Sequence, residues 1–319
     1  MRGREGTTDA ILLGESLGLV MGEPAAPLRV GSPVRFSFAG AESNVAIGLA
    51  RLGHLAGFVS RVGDDSIGRM ITQTLRGEGV DVEGVIVDPT APTALMVRQH
   101  RTADALNVLY YRSGAAGSRL EPADIPDLTG ARLLHVSGIT SGLSTSARDT
   151  VTSAVRAARA AGLVVSLDVN HRALLWSAAE AGTTLARLLD SVDIVFGGDE
   201  ELLILAQREH DVEAAIRELL QQYPSVVVRK RGSLGATAYG EFGTVERDAL
   251  TVTAVDPVGA GDAFVAGFLS GLLDGVDPAE CLDRAIECGA FAVSVHGDWE
   301  GAARRSELGM LGRSERVDR

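Results

Sequence analysis

The sequence predicts an α/β protein, a mostly parallel sheet flanked by helices and carrying a small antiparallel β-lid. Three observations predict it. Short runs rich in β-branched residues alternate with longer runs of helix formers along most of the chain. Two stretches break that alternation with turn residues and alternating apolar and polar positions. Near the C-terminal end, a glycine-rich turn joins a β-rich run to a small-residue helical run, an arrangement that holds anions.

Met1 to Asp9 is polar, and the apolar Ile11-Leu12-Leu13 is interrupted by Glu15, which fits neither a signal peptide nor a spanning helix. The two non-alternating stretches run roughly over 17–38 and 93–112 and are expected to fold as a flap over the mouth of the main sheet. Arg132–Val136 reads as a strand, Ser146–Ala161 as an Ala/Arg-rich helix ended by Gly162, and Leu163–Val169, Val192–Phe196 and Ser225–Arg229 as further strands. Leu250–Val255 reads as a strand from its β-branched residues, and Ala263–Leu273 as the helix after the glycine turn. The tail from Ala302 onward is polar and arginine-rich, and is expected to fray. With no internal repeat or low-complexity linker, residues 1–319 are expected to form one domain with the lid segments inserted.

The chain has 319 residues, 45% hydrophobic and 23% charged, enough to bury a large core. A net charge of −12 argues against a general nucleic-acid or anionic-membrane surface, since both need basic patches, and leaves room only for local basic pockets. The two cysteines, Cys281 and Cys288, lie seven apart in one expected helix, too few for a disulfide framework and without a zinc-type cluster. They read as reduced, buried thiols of a cytoplasmic protein.

Chemistry concentrates in Asp256-Pro257-Val258-Gly259-Ala260-Gly261-Asp262-Ala263-Phe264. Free N–H groups and the positive dipole of a helix start stabilise negative charge there. A carboxylate inside such a cradle would repel the anion it attracts. The conflict resolves if Asp262 faces an acceptor hydroxyl while the N–H groups of Gly259, Ala260 and Gly261 face a transferred phosphoryl group. On this motif alone, an ordinary tight turn capped by Asp262 fits equally well.

Asp256 to Ala266, together with Ala39-Gly40-Ala41-Glu42-Ser43-Asn44-Val45-Ala46 and Gly63-Asp64-Asp65-Ser66-Ile67-Gly68, resembles the signature regions of the ribokinase-like, phosphofructokinase-B-type sugar kinases. The likeness spans most of the chain and keeps the order of the motifs. It implies a ribokinase-like, Rossmann-like α/β fold with a β-lid, ATP as donor with Mg²⁺, and Asp262 as catalytic base beside a Gly259-Ala260-Gly261 anion hole. Pro257 stands where the family usually has Thr, which removes one N–H before the hole, and little chemical effect is expected. The helix dipole is expected to depress the pKa of Asp262. A weak base suffices where the acceptor's proton leaves late.

Within the family, the likeness is greatest to kinases of 2-keto-3-deoxygluconate, carried by Gly40-Ala41-Glu42, Tyr110-Tyr111-Arg112-Ser113-Gly114-Ala115, Ser137-Gly138-Ile139-Thr140, Leu167-Asp168-Val169-Asn170-His171-Arg172 and Gly297-Asp298-Trp299-Glu300-Gly301-Ala302. A sugar acid calls for arginine, whose planar fork grips a carboxylate in a bidentate way. Arg172 follows an expected strand at the sheet edge where ligands bind. Tyr110 and Arg112 are two apart in an extended segment, so they share one face. The resemblance implies that Gly40 and Asn44 contact sugar hydroxyls, Tyr110 the keto-acid end, and Arg112 and Arg172 the carboxylate. Solvated arginines in surface salt bridges are the competing reading.

Two positions depart from the pattern. Met96 stands where related kinases carry a lid tyrosine, losing a hydroxyl. Gly198 replaces the asparagine of an Asn-x-x-Glu motif whose Glu201 would act on Mg²⁺ through water, or else simply open a helix with negative charge. Lys230, Gly232 and Gly235 fall in a strand-and-turn that resembles a wall of the family's nucleotide site, with Lys230 and Arg231 near phosphates or merely solvated. His135 reads as a satisfied core residue and His171 as an orienter of Arg172. The chain has no P-loop, and its glycine turn lies too late for a dinucleotide fingerprint. The expected activity is phosphorylation of a small sugar acid. A kinase of fructose or ribose, or a binding protein of the same fold, remains the alternative, and exposed lid strands suggest a homo-oligomer.

Overall fold

The structure is a computed structural model and describes residues 8–22, 27–100, 106–222 and 224–311. β1 (Ala10–Leu13) is an uninterrupted apolar run, buried throughout. Alternation sends Ala10 and Leu12 into a core on one face of the sheet, and Ile11 and Leu13 into a core on the other.

The chain continues through β2 (Leu17–Gly22), β3 (Val34–Ala39), α1 (Ala41–Arg51), β4 (Ala56–Gly63), α2 (Ser66–Gly77), β5 (Val85–Asp88), β6 (Leu95–His100) and β7 (Leu106–Tyr111). There follow β8 (Leu133–Ser137), α3 (Gly138–Leu143), α4 (Thr145–Ala160), β9 (Val164–Asp168), α5 (Ala178–Ala186), β10 (Ile194–Gly197), α6 (Asp199–Leu205), α7 (Val212–Gln222) and β11 (Val226–Lys230). β12 (Ala236–Gly240), β13 (Gly243–Arg247), α8 (Ala260–Asp274) and α9 (Pro278–Val293) complete it.

Nine strands form the large sheet in the order β13-β12-β11-β10-β9-β8-β1-β4-β5. Every pairing from β11 to β5 is parallel, and only β12 runs against the rest, pairing antiparallel with β11 and with the edge strand β13. Side chains of α1, α2, α8 and α9 fill one core, and those of α4, α5, α6 and α7 the other. The five expected strands and helices of the central region are present, with ends shifted by one or two residues, and Gly162 closes α4 with φ 78°.

β2, β3, β6 and β7 form the small second sheet in the order β3-β2-β6-β7. Its two outer pairings are antiparallel, as expected, but the central β2–β6 pair is parallel. β2 follows β1 and β6 follows β5, strands that run the same way in the large sheet with β4 between them, which is consistent with a parallel β2–β6 pair. Residues 23–26 and 101–105 of the expected lid segments lie outside the described residues. The Gly63–Gly68 motif anchors this sheet. Asp65 caps α2 through Gly68 N at 2.8 Å and also accepts from Thr93 N at 2.7 Å, at the foot of β6.

Two expectations are corrected. Leu250–Val255 is an irregular connection and belongs to neither sheet, because β13 already forms the edge and β-branched residues make no strand without a ladder partner. The tail does not fray over 302–311. Ala303 is buried with Leu52 and Cys288, and Arg305 pairs with Asp274 at 2.9 Å. Cys281 and Cys288 are free and buried in α9, and burial pushes their thiols up to about 11 and about 12. No helix among the described residues is long and apolar enough to cross a membrane.

Candidate active site

The carboxyl ends of β1, β8, β9, β10 and β11 and the start of α8 surround a cavity of about 430 Å³, roofed by β6 and β7 of the small sheet. Gly259, the residue before α8, has φ 75°, and a Cβ there would lie 1.7 Å from the carbonyl oxygen of Asp298. Only glycine fits. The first backbone bond into α8 runs from Ala263 N–H to Gly259 C=O at 2.9 Å, so the amides of Gly261 and Asp262 start the helix without a helical partner. Gly259, Gly261 and Asp262 line the cavity. Ala260 does not, and its N–H turns toward Pro257 C=O at 3.4 Å.

Asp262 meets the other end of the sequence here. Its Oδ2 accepts from Asn44 Nδ2 at 2.8 Å, while Asn44 Oδ1 is buried without a protein partner. Gly40 brings Asn44 close, since a Cβ at Gly40 would strike Glu15 C=O at 2.4 Å. The expected depression of Asp262 is corrected. Burial, reinforced by the charge of Asp168, pushes its carboxyl up to about 6, against the hydrogen bond from Asn44 and the charges of Lys230 and Arg172. Glu42, wholly buried behind Asn44, accepts from Ser137 Oγ and Thr140 Oγ1 at 2.7 Å each, yet burial pushes it up to about 7.

Lys230 Nζ holds both oxygens of Asp168, at 2.7 and 2.8 Å, and lies 4.0 Å from Glu201. A Cβ at Gly261 would lie 3.9 Å from Nζ, so the ammonium stands beside the helix start. Glu201 lines the cavity, but its oxygens accept from Gly198 N at 2.8 Å and His171 N at 3.0 Å. No group of three or more His, Cys, Asp or Glu side chains among the described residues forms a metal cage. Gly232 and Gly235 stand outside the cavity at the β11–β12 turn, where a Cβ at Gly235 would meet Arg247 C=O at 2.0 Å. Arg231 also turns away, pairing with Glu246 at 2.6 Å.

At the small-sheet end, Tyr110 and Arg112 share one face as expected, with the guanidinium 4.7 Å from the ring centre. Arg112 is already paired: its Nε donates to Glu15 Oε2 at 3.0 Å and its Nη2 to the same oxygen. Arg172 lines the cavity, donates to His171 C=O at 3.1 Å and has no carboxylate partner among the described residues. It is thus the backbone of His171, not its ring, that touches Arg172. His135 is a satisfied core residue, 2.7 Å from Ser166 Oγ and held neutral by burial. Met96 lines the roof. Sequence reasoning missed four charged residues of this cavity: Glu15, Arg98, Asp168 and Asp298. Asp168 gave one signal, a carboxylate ending an apolar strand.

A family model described as pfkB family carbohydrate kinase matches residues 12–303. The chain is 37% identical to a 2-dehydro-3-deoxygluconokinase of Thermoproteus tenax, over 93% of this chain and 91% of that protein. It is similar to the crystal structure of a PfkB protein from Polaromonas sp. JS666, with a TM-score of 0.84, 35% identity, and coverage of 94% of this chain and 99% of that one. It also resembles the aminoimidazole riboside kinase of Salmonella enterica complexed with aminoimidazole riboside and an ATP analog, with a TM-score of 0.83, 27% identity, and coverage of 96% and 99%.

Proposed function

The chain belongs to the pfkB family of carbohydrate kinases, and we propose that it transfers the γ-phosphoryl group of ATP to the terminal hydroxyl of 2-keto-3-deoxygluconate or a close 2-keto-3-deoxy sugar acid. One observation carries the reading. A single cavity joins a carboxylate at a helix start, Asp262, to an arginine, Arg172, that has no acidic partner among the described residues.

In this reading Asp262 takes the hydroxyl proton as the acceptor oxygen bonds the γ-phosphorus and the bond to the β–γ bridging oxygen breaks, releasing ADP. Asn44 holds one oxygen of Asp262 and leaves the other for the acceptor, and its own Oδ1 is free to accept from a sugar hydroxyl. A carboxyl raised to about 6 is a stronger base than an ordinary aspartate and still mostly ionised at neutral pH. The amides of Gly259 and Gly261 face the charge spread over the phosphoryl oxygens. Lys230 adds a positive charge beside them, and Asp168 fixes its direction.

ATP with Mg²⁺ serves the family, and with no protein cage of three or more His, Cys, Asp or Glu side chains among the described residues, a bound Mg²⁺ would be held mainly by phosphates and water, with Glu201 the carboxylate that would act on it through water. Mg²⁺ would neutralise charge between the phosphates. Arg172, with Arg112 and Tyr110, would receive the acid end of the acceptor. The outer face of the small sheet supports a homo-oligomer. Phe36, Val20, Val97 and Leu109 form one apolar row across it, and Phe36 and Leu109 are exposed.

A coupled ADP-release assay tests the reading with 2-keto-3-deoxygluconate, 2-keto-3-deoxygalactonate, fructose and ribose. The expected result is a kcat/KM for a sugar acid at least about tenfold above either neutral sugar. A preference for fructose or ribose would replace the acid by an uncharged acceptor. Release with none would make the chain a binding protein.

A further inference from the structure

Arg98 is a charged residue in an unusual place, 5% exposed on β6 and one turn of the pleat from Met96 on the cavity side. Its guanidinium reaches past Met21 of β2 to two carboxylates outside the small sheet. Nη2 donates to Asp256 Oδ2 at 2.7 Å and touches Met21 Sδ, and Nη1 reaches Asp298 Oδ1 at 3.4 Å. These two aspartates are the shoulders of the glycine turn. Asp256 Oδ1 accepts from Val258 N at 3.2 Å, immediately before Gly259, and Asp256 Oδ2 also accepts from Gly297 N at 3.3 Å. The carbonyl of Asp298 is the group against which Gly259 is packed.

An apolar side chain would fill this roof position at lower desolvation cost, since burying a guanidinium is unfavourable unless its partners are well placed. Burial pushes Asp298 up to about 7 despite the arginine. Asp298 can therefore take a proton without orphaning Arg98, which keeps Asp256.

We infer that Arg98 is a positioning residue for phosphoryl transfer: it locks the small sheet onto both shoulders of the Gly259 turn, so that the amides of Gly259 and Gly261 are aligned while the sheet roofs the cavity. The inference rests on the phosphoryl-transfer reading but not on the choice of acceptor. In this reading Arg98, whose hydrogen bonds go to Asp256 and Asp298, acts through those aspartates and not on the reacting atoms or the acceptor. Its loss is thus felt in kcat more than in substrate affinity.

The test is steady-state kinetics on the full chain, with ATP and whichever sugar of the panel the unmodified protein phosphorylates best. Arg98→Met should lower kcat by about 10- to 100-fold while both KM values stay within about threefold, and Arg98→Lys should recover part of the loss. Arg98→Met combined with Asp256→Asn leaves no carboxylate stranded by the lost guanidinium at Asp256, so it tests the idea even if the single variant does not fold. It should show the same loss of kcat. A purely structural arginine would lower the melting temperature without separating kcat from KM. That outcome, or a kcat of either variant within about twofold of the unmodified protein, overturns the inference. If the unmodified protein phosphorylates no sugar of the panel, the kinase reading itself falls, before any variant is compared.

Discussion

At the α8 end of the cavity, Asp262 and Lys230 are each held by one partner, Asn44 and Asp168, and each still faces the space between them. At the small-sheet end the two arginines are unequal: Arg112 is tied to the buried Glu15, whereas Arg172, among the described residues, is held only through the carbonyl of His171. The first end is built on the large sheet and the first turn of a helix, the second on a lid strand and a loop. The difference teaches that arginines which look alike in sequence can sit in unlike surroundings. Arg172 is available to an acidic ligand, while Arg112 must share itself between a ligand and Glu15.

The largest expected effect breaks the α8 end. Asp262→Asn should lower kcat by about 10²- to 10⁴-fold with ATP binding retained, as read by single-turnover kinetics and calorimetry. In the unmodified protein the same residue sets an acid limb. Its pKa is raised to about 6, the ionised form is the base, and kcat/KM should therefore fall as pH drops through about 6 instead of near 4. A limb near 4 would mean that burial does not govern Asp262.

The small-sheet end should break in stability before activity. Arg112→Ala strands the carboxylate of Glu15, which is buried and already raised by that burial, and should cost about 3–5 kcal/mol in chemical denaturation near neutral pH. The sign with pH follows. A carboxyl whose folded pKa is raised binds its proton more readily in the folded state, so the deficit should shrink as pH falls and Glu15 protonates. Glu15→Gln added to Arg112→Ala should recover stability without restoring affinity for the sugar acid.

Much of the α8 end was legible in the sequence. A glycine turn before small helix formers, with Asp262 in its first turn, is a local pattern, and Asn44 came from an equally local motif. The alternation of strands and helices was legible for the same reason. What stayed hidden depends on partners far away in the chain. Arg98 is one charge on a lid strand, and its partners Asp256 and Asp298 come from the other end of the sequence, while Glu15 announces no arginine. The pKa of Asp262 was misjudged because the helix dipole is local, whereas the burial and the Asp168 charge that outweigh it are tertiary. Leu250–Val255 failed for the converse reason, a sound local propensity without a neighbouring strand edge.

The central claim is that one cavity joins Asp262 to a cation kept for the acid end of the acceptor. Arg172→Ala tests it most directly, through kcat/KM for 2-keto-3-deoxygluconate and for fructose in the variant and the unmodified protein. The account predicts that the KM for the sugar acid rises by about 10- to 150-fold, the equivalent of one lost charged hydrogen bond of about 1.5–3 kcal/mol, with the fructose value little changed. An unchanged KM for the sugar acid, or an equal loss for both sugars, would contradict it.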